Sequence, residues 1–210
     1  MSKVRLFTDL GDTNSSGSGS SAVMRINQAR AQTDTVSASF NCGGANDGTD
    51  VPITNLAVTI TPNAVDSIIT LSLSMCGEWI GALAPANAMV SIKRVISDGT
   101  TEVIRNTNPG SGGAHQGIQP FAEITNRSQT LSSKTTMEIC NIHFSDNLGL
   151  QTLTSSSTVT YTPVIRIENG GYTSIFYLNR TVALTSSGTG TSSETGISSF
   201  HAVDNVLSSS

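Results

Sequence analysis

The plainest signal along the chain is alternation of apolar and polar residues. In NLAVTITP, Leu56, Val58 and Ile60 alternate with Ala57, Thr59 and Thr61, and Pro62 closes the run. A period of two puts each set on one face of a strand, so this segment predicts a half-buried strand. SIITLSLSMCG repeats the pattern at greater length. Ile69, Leu71, Leu73 and Met75 point one way; Ile68, Thr70, Ser72, Ser74 and Cys76 point the other. In AMVSIKRVISDGTTEVI, Val90, Ile92 and Ile96 share a face, and Asp98-Gly99 supplies a tight turn into TEVI. MEICNIHFS predicts another strand. STVTYTPVIRIENGGYTSIFYLNRTV predicts two strands around a turn at Asn169-Gly170-Gly171, and a last strand lies within GISSFHAVDNVL.

No long amphipathic helix interrupts this series. Short strands separated by frequent turn signals predict an all-β antiparallel sandwich or barrel. The connections at 106–118 and 185–195 suit loops between sheets. Residues 22–40 show no clean helical period and read as extended or irregular. Residues 1–35 are expected to be an N-terminal arm with a Gly/Ser linker, GDTNSSGSGSS, which has nothing to pack. Residues 36–210 are expected to be the folded domain.

One strand stands apart. At SIFYL, Ile175 and Tyr177 fall on one face and Phe176 and Leu178 on the other. A sandwich strand has one face for the core and one for solvent. Here the second face also asks for a cover, and a neighbouring subunit is the natural one.

Composition narrows the function classes. Charged residues make up 12% of the chain, against roughly 25% in an ordinary soluble domain. The net charge of -4 speaks against an extended nucleic-acid surface, which needs clustered Lys and Arg. No apolar run is long enough for a membrane helix, and MSKVRLFTDLGDTNSS is too poor in apolar residues for a signal peptide. Synthesis in a cytoplasm is the expectation. Cys42, Cys76 and Cys140 have spacings that fit neither a zinc knuckle nor a redox pair, and buried free thiols are expected.

Two longer stretches carry a family resemblance. LAVTITPNAVDSIITLSLSM resembles a strand ending in T-P followed by Ser and an alternating apolar strand. HFSDNLGLQTLTSSSTVTYTPVIRIENGGYTSIFYLNRT resembles F-x-D, a loop, T-Y-x-P-x-h-R, a glycine turn and an apolar strand ending in N-R-T. Together they are similar to phage virion domains, of marine cyanophages in particular, with the complement-globular-head or tumour-necrosis-factor fold. The likeness spans about residues 50–206. The final strand departs from the family's ending, which leaves its register open.

The resemblance implies a jelly roll that forms a homotrimer through aromatic and aliphatic strand faces. Tyr161, Ile175, Phe176, Tyr177 and Leu178 are then the candidate trimer interface. The arm would anchor the knob to other virion proteins through Val4, Arg5, Leu6, Phe7 and Leu10. The function implied is a non-enzymatic structural protein on the particle surface. The chain has no heptads and no repeats, hence no shaft, which favours capsid decoration or a head fibre. A tail-fibre protein for host adhesion is the alternative, with a host-surface glycan as a further candidate partner.

None of the nucleophile, zinc-protease or phosphate-loop motifs occurs. His115, His143 and His201 are far apart in sequence, and strand histidines are expected rather than ligands. Glu123, Glu138, Asp146 and Glu168 are carboxylates without a pairing signal. Asn46 to Asp50 clusters oxygens as some calcium loops do, but reads better as a turn. Trp79 could stack on a sugar, the feature a carbohydrate-binding module would need, but reads better as packing. Sequons stand at Asn14, Asn126 and Asn179. No cofactor or metal is expected, nor any nucleic-acid or membrane partner.

Overall fold

The computed structural model describes residues 23–34, 38–42, 44–46, 48–81, 88–105, 117–121, 137–167, 174–181 and 194–208. These form two antiparallel six-stranded sheets packed as a sandwich, with no α-helix among the described residues. One sheet contains β1 (Val23–Thr33), β2 (Ser39–Asn41), β5 (Ile68–Gly81), β9 (Glu138–Asn147), β11 (Ser174–Leu178) and β12 (Ser198–Ser208). The other contains β3 (Asp50–Pro52), β4 (Val58–Ile60), β6 (Ala88–Ile96), β7 (Thr101–Ile104), β8 (Gln119–Phe121) and β10 (Val159–Ile167).

The pairing is nested. β1 pairs with β12, β3 and β4 with β10, β5 with β9, and β6 with β7. β2 with β11 nests just inside the first pair and in the same sheet; from there inward the pairs alternate between the sheets. β5 is the spine of its sheet. β9 runs along one edge of it, while β12 and then β11 share the other.

One boundary differs from the sequence expectation. Residues 23–33 are not arm: they pair along their whole length with β12. Ala29 and Ala31 turn inward against the core, and Gln28, Arg30 and Gln32 turn out. The folded domain therefore begins by Val23, not at residue 36. In addition, β10 and β11 do not pair with each other; the chain crosses from one sheet to the other between them. The open register of the last strand is settled, with Phe200 and Ala202 inward opposite Leu73 and Leu71.

Local sequence explains several details. Gly99 takes φ +96°, and its N–H donates to Ile96 O at 2.9 Å, closing the β6–β7 hairpin that Asp98-Gly99 predicted. Pro163 lies in the central strand β10, where a missing N–H is normally costly. Its carbonyl accepts from Ile53 N at 2.8 Å, on the side where β4 has ended and β3 has yet to pair. The proline ring nitrogen points to the same side, so its missing hydrogen falls in that break.

The core is apolar at one end and polar at the other. Trp79, Phe121 and Phe176 pack with ring centroids 5.1–5.7 Å apart, tying β5 and β11 to β8 of the facing sheet. Gly77 makes this possible. A Cβ there would lie 2.2 Å from Tyr177 O and 2.6 Å from the Phe176 ring.

Candidate functional site

The polar end of the core is built from two facing rows. In one sheet, Asp204 and Asp146 flank Ile69 on either side. In the other, Glu102, Arg94 and Tyr161 stand side by side. Arg94 belongs to the inward set of β6 with Val90, Ile92 and Ile96 and is almost fully buried. Its guanidinium donates to Asp146 at 2.5 Å and to Glu102 at the sheet edge. Tyr161 OH donates to the other Asp146 oxygen at 2.9 Å. Burial, with the Asp146 carboxylate beside it, holds the Tyr161 phenol well above its ordinary range. Asp204 accepts from Asn63 N at 2.6 Å and Ser67 Oγ at 2.8 Å, fixing the turn that precedes β5. Apart from Glu102 at the exposed sheet edge, these groups are enclosed, so they are equipped to join the sheets and not to receive a substrate.

A second polar node marks the point where β11 leaves β5 and β12 takes over. Asn179 has φ +62° and is fully buried. Its Nδ2 donates to Thr33 O at 2.7 Å, and its Oδ1 accepts from Ser198 Oγ at 2.6 Å. Ser198 Oγ also accepts from Cys76 N at 3.0 Å. One side chain thus ties together β1, β5 and β12. The sequon at Asn179 is spent inside the fold.

The outward face of the β5 sheet is the accessible surface with the most order. Registry places Arg30, His201, Ser72 and His143 in one row across β1, β12, β5 and β9. Their neighbours along the strands are uncharged: Gln28, Gln32, Ser199, Val203, Thr70, Ser74, Asn141 and Ser145. Partial burial and the nearby Arg30 charge lower the pKa of His201. Farther along, Ile175 and Tyr177 of β11 are half-buried on this face, and the Arg180 guanidinium sits 4.4 Å from the Tyr177 ring centroid.

The candidates read from sequence now have places. Of the proposed trimer contacts, Tyr161, Phe176 and Leu178 are withdrawn. All three are fully enclosed within one chain, Phe176 and Leu178 among core residues and Tyr161 by its bond to Asp146. Ile175 and Tyr177 alone of that set reach the surface. Trp79 is fully buried between Phe121 and Phe176, which removes the sugar-stacking site. His143 and His201 flank Ser72, two strand spacings or roughly 10 Å apart, too far to share an ion. Among the described residues no group of three His, Cys, Asp or Glu could hold a metal.

Glu138 and Asp146 are both buried on β9. Eight residues of strand, roughly 26 Å, separate them, beyond the reach of any carboxylate pair. In Asn46–Asp50, of which Asp47 lies outside the described residues, Thr49 N donates to Asn46 O at 3.0 Å and Asp50 is paired with Arg105. All three cysteines are free and buried. Val4, Arg5, Leu6, Phe7, Leu10, His115, Glu123, Glu168, Asn14 and Asn126 lie outside the described residues.

The sequence reading passed over Arg94. The signal was present: Val90, Ile92 and Ile96 leave a gap in their inward series at position 94. No family model and no curated protein matches the chain.

Proposed function

We propose that the chain is a non-enzymatic structural protein of a phage virion, a jelly-roll knob carried as a homotrimer on the particle surface. The observation that carries this reading is the nested strand order, first with last and inward to β6–β7, which is the ordering of a jelly roll. It agrees with the resemblance of residues 50–206 to phage virion domains, which came from different features of the chain. The face bearing Ile175 and Tyr177 beside a field of mostly uncharged side chains supplies a flat surface on which a second copy can pack. Capsid decoration or a head fibre is the preferred position, since a knob and an attachment segment are all it requires.

Two measurements test the reading. Light scattering of the purified chain is expected to give three times the 21.8 kDa monomer mass. Gold-labelled antibody against the chain is expected to decorate intact particles over the head. A monomer at micromolar concentration removes the trimer. Label confined to the tail replaces the preferred position with host adhesion.

A further inference from the structure

Five large apolar side chains are exposed among the described residues, and three of them gather at one end of the sandwich. Val65 is 50% exposed, Ile68 55% and Leu150 83%. Ile68 opens β5 opposite Asn147 of β9, and Leu148 N–H donates to Ser67 O at 2.9 Å. The turn at 63–67 and the single 3-10 turn Leu148–Leu150 are therefore bound together, with Gly149 packed close to Asp66.

This end is held rigid from within. The buried Asp204 takes the Asn63 N–H and the Ser67 hydroxyl, and Ser67 Oγ accepts Ala64 N at 3.1 Å. Side chains presented on a fixed turn lose little freedom on docking, which is how an exposed apolar patch becomes a binding surface.

The chain enters at the same end. Asn27 stands opposite Asp204, and Asp204 opposite Ile69. Val23, four residues upstream, lies beyond the start of β5, and the segment with Val4, Leu6, Phe7 and Leu10 precedes it in sequence.

We infer that the end bearing Val65, Ile68 and Leu150 is the face that seats on the particle, in an apolar recess of a coat protein with a positively charged rim. The rim answers Asp66, which is exposed beside the patch. This rests on the particle-surface reading above. The opposite end of the knob then faces outward.

The test uses the full chain and particles grown without it, with binding measured by co-sedimentation. Val65→Ser/Leu150→Ser is expected to bind roughly tenfold or more weakly than the native sequence. Ile139→Ser/Ile197→Ser, which removes the two exposed apolar residues elsewhere, is expected to bind as the native chain does. Melting temperature and scattering mass accompany each variant. Should the double variant prove unstable, Leu150→Lys alone, at the most exposed position, is expected to abolish binding by meeting a like-charged rim. Undiminished binding by the Val65/Leu150 variant, or equal loss in both doubles, overturns the inference while leaving the particle reading intact. Failure of the native chain to sediment with particles overturns both.

Discussion

Asp146→Ala probes the joint between the sheets. Arg94 and Asp146 expose only 4% and 7% of their side chains, so the pair lies beyond the reach of solvent. Removing the carboxylate leaves a buried guanidinium without its main acceptor, which costs about 3–5 kcal/mol. The Tyr161 hydroxyl loses its acceptor as well, about 1 kcal/mol more. Glu102 still touches Arg94, but its side chain is 55% exposed and offsets at most about 1 kcal/mol. The net expectation is about 4 kcal/mol, a large part of the ~5–15 kcal/mol that keeps a domain folded. At about 2–4 °C per kcal/mol for a domain of this size, the melting temperature falls by about 8–16 °C. Urea and thermal unfolding followed by circular dichroism measure it. The double variant Arg94→Met/Asp146→Leu removes both charges together, and most of the lost stability is expected to return. A loss below about 1 kcal/mol for Asp146→Ala, or strict additivity in the double variant, would refute the account of a coupled buried pair.

Gly77→Ala is expected to destabilise by more than about 2 kcal/mol in urea unfolding, because its methyl meets Tyr177 O and the Phe176 ring at distances no real contact allows; a neutral result would mean that β11 can shift freely. Burial pushes the Cys42 and Cys140 thiols up to about 12 from 9.0. Their folded pKa values exceed the unfolded ones, so the stabilisation is complete below about pH 9 and is lost as pH rises toward 12. The urea midpoint is therefore expected to fall across that window, and to fall less in Cys42→Ala/Cys140→Ala; equal slopes in both proteins refute it. Burial and, after it, the Arg30 charge depress His201, so in Arg30→Gln the His201 imidazole is expected to titrate at higher pH by NMR; an unmoved midpoint would show that the Arg30 charge does not reach it.

Strand positions were legible because a period of two is a local property. The alternation in β4, β5 and β6 assigned inward residues correctly, since each apolar side chain reports its own face whatever lies opposite. β1 escaped notice for the same reason. Its inward residues include Ala29 and Ala31, too small to mark a face, and it is a strand only because β12 supplies its hydrogen bonds. The split into two faces at 174–178 was legible, but not which face is buried: Phe176 and Leu178 are inward, and Ile175 and Tyr177 outward.

What the tertiary structure alone decided is which polar groups meet. Parity already set Arg94 on the inward face of β6, a position that no isolated strand could tolerate. Asp146 is 52 residues away and Tyr161 is on another strand, so nothing local announces that they complete it. The same holds for Tyr161, whose aromatic ring suggested an interface until its hydroxyl was found bonded inside the core. It holds for the patch at Val65, Ile68 and Leu150, which becomes one surface only when β5 and β9 pair. Face assignment needs one strand and is written in the order of residues. Charge compensation and surface continuity need partners brought together across the chain, and those exist only after the sheets have closed on each other.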